Sequence, residues 1–89
     1  MHDEDNFRYI GKKVIRLTSR ENIILSLLMK NKGNITKYEE ISNALGYEQL
    51  DEFVKNSITI LMHRLRVKLK KEIKINTIRT AGYEIKERR

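Results

Sequence analysis

The chain has 89 residues, with 19 Lys and Arg against 12 Asp and Glu, a net charge of +7, and neither cysteine nor proline. That length allows one domain with a small core. The missing cysteine excludes disulfides and thiolate metal sites, and no apolar run comes near the roughly 18 residues of a membrane helix. The start, Met1-His2-Asp3-Glu4-Asp5, is acidic with no apolar stretch behind it, which does not suit a signal peptide. The expectation is a soluble, cytoplasmic domain.

Residues 1–6 read as a flexible leader and 7–89 as the domain. Phe7-Arg8-Tyr9-Ile10 and Lys13-Val14-Ile15-Arg16-Leu17 flank Gly11-Lys12, and their alternation predicts a short hairpin. Thr18-Ser19-Arg20-Glu21 is a capping box, with Thr18 as N-cap and Glu21 reaching back. It opens a helix over about 18–32, with Ile24, Leu25, Leu27 and Leu28 on one face and Gly33 as its stop. Thr36-Lys37-Tyr38-Glu39 is a second box and predicts a helix over about 36–46, burying Tyr38, Ile41 and Leu45. The segment 53–71 is the longest periodic one. Val54, Ile58, Leu61, Met62, Leu65 and Leu69 fall on one stripe at about 100° per residue. Its other side carries Asn56, Thr59, Ile60, His63, Arg64, Val67, Lys70 and Lys71. Ile73 to Lys86 reads as a hairpin, with the glycine of Thr80-Ala81-Gly82 at the bend.

Charge follows this layout. Residues 1–52 hold eight basic and nine acidic side chains, whereas 53–89 hold eleven and three. A field this one-sided attracts polyanions, nucleic acid first among them. A short helix, a loop, a longer helix with a basic outer face and a basic hairpin are the layout of a winged helix-turn-helix, whose long helix fits a major groove about 12 Å wide. The fold class is α+β: short N-terminal antiparallel strands, three helices, and a wing over about 73–87.

These residues resemble the C-terminal DNA-binding (effector) domain of OmpR/PhoB-type response regulators. The similarity is carried by Leu17-Thr18-Ser19-Arg20-Glu21 with Leu27-Leu28, by Asn31-Lys32-Gly33, and by Thr36-Lys37-Tyr38-Glu39-Glu40-Ile41. Its most specific parts are Leu61-Met62-His63-Arg64-Leu65-Arg66-Val67-Lys68-Leu69 and Thr77-Ile78-Arg79-Thr80-Ala81-Gly82-Tyr83. The chain departs from the family pattern in three places. Tyr47 stands for the usual Trp, Thr80 stands for the usual Gly at the wing tip, and two N-terminal strands stand for the four often found.

The resemblance implies a sequence-specific, double-stranded DNA-binding transcription regulator from a bacterial two-component system, or a stand-alone relative. Family domains usually follow a phosphorylatable receiver domain and bind tandem half-sites, which implies a homodimer on DNA. It makes 53–71 the recognition helix. Arg64 and His63 become candidates for base or phosphate contact, Arg suiting guanine O6 and N7. Asn56 suits adenine, and Thr59 a phosphate or a thymine methyl. Ser57, Arg66 and Thr77 match phosphate-binding positions, and Lys68, Lys70 and Lys71 neutralise phosphates. Arg79, beside Thr80, matches a wing arginine of the adjacent minor groove; its plain alternative is a salt bridge to Glu84 or Glu72. Ile60 is open between thymine methyls and packing, while Val67 reads as packing against the wing or second helix. Tyr47, Glu48 and Asp51 match a loop that touches RNA polymerase; alternatively it is a connector with Asp51 as N-cap.

No Cys nucleophile, Ser/His/Asp set or Gly-rich phosphate loop is present, so an enzyme is not expected. No cofactor or metal is expected either, since the two histidines lie at positions 2 and 63. The alternative function is a winged-helix adaptor that binds protein or RNA.

Overall fold

The computed structural model describes residues 6–70 and 72–87. Eight elements follow in order: β1 (Asn6–Ile10), β2 (Lys13–Leu17), α1 (Ser19–Lys30), β3 (Thr36–Lys37), α2 (Tyr38–Ala44), α3 (Glu52–Leu69), β4 (Ile73–Ile78) and β5 (Gly82–Glu87). β1 and β2 form a two-stranded antiparallel sheet, and a second antiparallel sheet runs β3-β5-β4. The expected winged helix-turn-helix is the observed architecture. Asn6, expected in the leader over 1–6, belongs instead to β1 and pairs with Leu17. The rest of that leader lies outside the described residues, as does Lys71.

The first hairpin turns through Gly11 at a φ of 62°, the positive value that tight hairpin turns require. Its inner face delivers Ile10, Ile15 and Leu17 to the core. The alternation runs opposite to what the aromatics suggest: Phe7 and Tyr9 face outward. Arg8 instead reaches α1, donating to Asn22 Oδ1 at 3.0 Å and Ser26 Oγ at 2.9 Å.

The first capping box forms as expected. Glu21 N donates to Thr18 Oγ1 at 3.2 Å, and Thr18 N to Glu21 Oε1 at 2.9 Å. The second box is shifted by one residue. Lys37 is the N-cap and its backbone N–H donates to Glu40 Oε1, 3.2 Å, so Glu40 and not Glu39 closes the turn. Thr36 is not a cap at all; it is fully buried in β3, paired with Tyr83. The helix expected over 36–46 is therefore only Tyr38–Ala44.

On α3 the stripe of Val54, Ile58, Leu61, Met62, Leu65 and Leu69 is entirely buried. It meets Ile24, Leu25 and Leu28 of α1, Ile41 of α2 and Ile73, Ile75, Tyr83 and Ile85 of the second sheet in one core. Each such side chain stabilises the fold by about 1.5–3 kcal/mol. That burial is what leaves the other side of α3 outward. The helix starts at Asp51, whose carboxylate accepts from Val54 N at 2.9 Å, and ends at Leu69 rather than Lys71.

The second hairpin bends at Arg79-Thr80-Ala81, closed by a bond from Ala81 N to Ile78 O of 3.0 Å. Gly82 is not at the bend. It opens β5 opposite Lys37, where a Cβ would run into the carbonyl oxygen of Thr36.

Candidate nucleic-acid interface

With its apolar stripe sunk in the core, α3 turns Asn56, Ile60, His63, Arg64 and Val67 to solvent. Arg64 and His63 have no ion pair with a described residue. Arg79 stands exposed at the wing tip, and the same holds for it. Its salt-bridge alternative does not form: Glu72 pairs instead with Lys13, 3.6 Å away.

Three apolar side chains share this outward side at seven-residue intervals: Phe53, 72% exposed, Ile60, 54%, and Val67, 55%. Val67 does not pack against the wing or α2 as expected. It lines a shallow groove against β2 with Lys13, Val14 and Arg16, and Lys70 belongs to the same groove. Lys70 thus sits about 21 Å along the axis from Asn56, at the opposite end of the helix. Phe53 has no role in the sequence-based expectations. Its spacing from Ile60 is the signal that would have placed it here.

Other cations have intramolecular partners. Lys68, expected on phosphates, instead meets the carboxylate of Glu21, 2.5 Å away, in a pair joining α3 to α1. Burial raises the Glu21 pKa, but the ammonium of Lys68 and the Thr18 N–H more than reverse that, so it lies below the usual 4.5. Arg66 is half-buried between α3 and the wing. Its Nε and Nη2 donate to Ile75 O at 3.2 and 3.0 Å, and Nη2 donates to Thr77 Oγ1 at 2.6 Å. Its guanidinium carbon also lies 5.9 Å from the centre of the Tyr83 ring. Tyr83 in turn meets Tyr38 edge to face at 5.4 Å. Burial and the neighbouring Tyr38 hydroxyl push Tyr83 up to about 12, so it stays a neutral phenol.

The hydroxyls differ in what they can offer. Ser57 and Thr59 donate back to the helix, to Phe53 O at 3.1 Å and Lys55 O at 2.9 Å, and the Thr59 hydroxyl also meets that of Tyr83. Thr80 donates to Arg79 O at 2.6 Å. Thr77 accepts from Arg66, which leaves its own proton for an acceptor such as a phosphate oxygen. In the α2–α3 loop, Asp51 is the helix cap, and Tyr47 packs on the core with its hydroxyl accepting from Arg20 at 3.3 Å. Glu48 alone of the three is exposed without such a task. Among the described residues no group of three or more metal-binding side chains occurs, and no helix is long and apolar enough to cross a membrane.

The family model described as "Transcriptional regulatory protein, C terminal" matches residues 11–85. The chain belongs to that family. It is an OmpR/PhoB-type effector domain, the DNA-binding part of a transcription regulator. The effector domain is 32% identical over 83 residues to the transcriptional regulatory protein TctD of Salmonella typhimurium, covering 92% of this chain and 36% of TctD. It is 30% identical to the regulatory protein VanR of Enterococcus faecium, covering 89% of this chain and again 36% of the relative. The chain thus spans little more than a third of the length of these relatives. The DNA-binding domain of Bacillus subtilis CssR superposes with a TM-score of 0.70 at 26% identity, over 91% of this chain and 100% of that one. The C-terminal domain of the nisin resistance regulator NsrR shares the fold, with a TM-score of 0.69 at 24% identity over 96% of this chain and 88% of its own.

Proposed function

We propose that the effector domain reads duplex DNA in the cytoplasm with the outward face of α3 in a major groove and Arg79 in the adjacent minor groove. Arg64, Asn56, His63 and Ile60 meet base edges, Arg64 as the bidentate partner of a guanine. Thr77 and the unused Nη1 of Arg66 meet phosphates, with Lys70 at the far end of the helix. Ser57, whose proton is committed to Phe53 O, suits the amino group of adenine or cytosine better than a phosphate, while Thr59, with its hydroxyl held by Lys55 O and Tyr83, offers its methyl to a thymine. The observation that carries this reading is that Arg64 and Arg79 are both exposed and neither is tied to a carboxylate among the described residues. One such domain binds weakly, so two copies on tandem half-sites supply the affinity. Contact with RNA polymerase through the α2–α3 loop falls to Glu48, since Asp51 and Tyr47 are committed elsewhere.

Binding of labelled duplex DNA and of single-stranded RNA over a salt series tests the reading. Five to seven phosphate contacts give a log–log slope of roughly −4.5 to −6 for duplex. Arg64→Ala relaxes preference at particular base pairs, and Arg79→Ala weakens sites with A·T-rich flanks most. Duplex affinity that barely changes with salt, or stronger binding to RNA, would leave the adaptor function in its place.

A further inference from the structure

Between the N-terminal half of α3 and the wing tip lies a cleft of about 350 Å³. Lys55 of α3 lines it from one side and Thr80 and Ala81 of the wing from the other, with Lys37 and Glu39 contributed from the start of α2. Lys37 is exposed and Lys55 half-buried, and neither is in an ion pair with a described residue. Two ammonium groups against one carboxylate leave the cleft positive.

The position of the cleft matters more than its charge. In a duplex the major groove, about 12 Å wide, and the minor groove, about 6 Å wide, are divided by one sugar–phosphate strand. If α3 occupies the first and Arg79 the second, as proposed above, that strand has to pass between helix and wing tip. We infer that this cleft seats the dividing strand, with Lys37 and Lys55 neutralising successive phosphodiesters there. Neither lysine is among the candidate DNA contacts that the resemblance implies, although Lys37 lies within the Thr36–Ile41 stretch that carries it. They belong to different elements and converge only in the fold. Their contribution is affinity, not base choice. Glu39, on the same rim, opposes the phosphates and sets the strength of the seat.

The inference rests on the duplex-binding reading, and the two fail differently. The test uses anisotropy of a labelled duplex that the unmodified chain selects from a randomised pool, between about 50 and about 200 mM salt. Lys37→Gln and Lys55→Gln should each lower the magnitude of the log–log slope by about 0.9 per phosphate lost, with base preference unchanged. Glu39→Gln should tighten binding. A duplex carrying a neutral methylphosphonate at the dividing strand should bind the unmodified chain more weakly, and Lys55→Gln should then add no further loss. A steep slope in the unmodified chain that neither lysine variant alters overturns the seat and leaves the α3 reading standing. Additive losses from the methylphosphonate and Lys55→Gln do the same. A flat slope in the unmodified chain overturns both.

Discussion

The guanidinium of Arg66 and the hydroxyl of Thr77 are hydrogen-bonded, 2.6 Å from Nη2 to Oγ1, and the same guanidinium holds the backbone carbonyl of Ile75. A side chain on α3 is thereby fixed to β4, so the angle between helix and wing is set by bonds within the protein. A phosphate on Arg66 or Thr77 would add to a geometry already in place. Arg66→Met should remove the donors to Ile75 O and Thr77 and cost about 1–3 kcal/mol. Thr77→Val leaves both bonds to Ile75 O and should cost well under half of that. Urea unfolding of the two variants checks the ratio. The preference for A·T-rich flanks should weaken in Arg66→Met even though Arg79 is untouched, because the wing is no longer held in register.

Lys68 and Glu21 make the corresponding tie between α3 and α1. Glu21 is almost wholly buried, while Lys68 is one-third exposed. The folded-state pKa of Glu21 lies below its ordinary 4.5. The stability it brings is therefore complete above that ordinary value and is lost as pH falls through the folded one. Glu21→Gln should cost about 2 kcal/mol at neutral pH and should flatten the decline of stability on the acid side. The cost stays below that of a stranded buried charge because the freed Lys68 can turn to water. Urea titrations at neutral pH and near pH 3 measure both effects; a decline in the variant as steep as in the parent would show that another carboxylate controls it.

What the sequence revealed of this fold is local. The stripe from Val54 to Leu69 needs only its own spacing to be recognised, and the Thr18–Glu21 box closes within one turn. The start of α2 was not legible, because Glu39 and Glu40 stand side by side and each can close a capping box. The choice was made by Thr36 pairing with Tyr83, far away in the chain. The candidate interface divides in the same way. The exposed positions of Arg64 and Arg79 follow from periodicity and from the hairpin. The cap formed by Asp51 is local too, three residues from its partner Val54. The tasks of Lys68 and Arg66 depend on what other elements bring beside them, and periodicity gives the side of a helix but not its partner.

Gly82 is a case where a distant element decides what one residue must be. β3 lies so close beside β5 that a Cβ at Gly82 would meet the Thr36 carbonyl oxygen and the Lys37 Cα. The obstructing atoms are backbone and cannot rotate away. Gly82→Ala should therefore separate β3 from β5, exposing buried Thr36 and Tyr83 and costing about 1–3 kcal/mol, as overpacking does. Amide exchange would report it: protection at Thr36 and Lys37 should fall by more than that at the centre of α3.

Thr80 occupies the third position of the turn Ile78-Arg79-Thr80-Ala81 at a φ of 63°. A turn with positive φ at that position favours glycine, and a β-branched residue there is strained. The strain amounts to about 1–2 kcal/mol. Glycine would relieve it while giving back about 0.5–1 kcal/mol of backbone entropy. Thr80→Gly should thus stabilise the domain by about 0.5–1 kcal/mol, since the hydroxyl it removes is exposed and bonded only to the neighbouring Arg79 carbonyl. Thermal and urea unfolding measure the gain. Arg79 keeps its place in the turn, so preference for A·T-rich flanks should survive. A loss of stability instead would mean that the Thr80 hydroxyl bond outweighs the backbone strain.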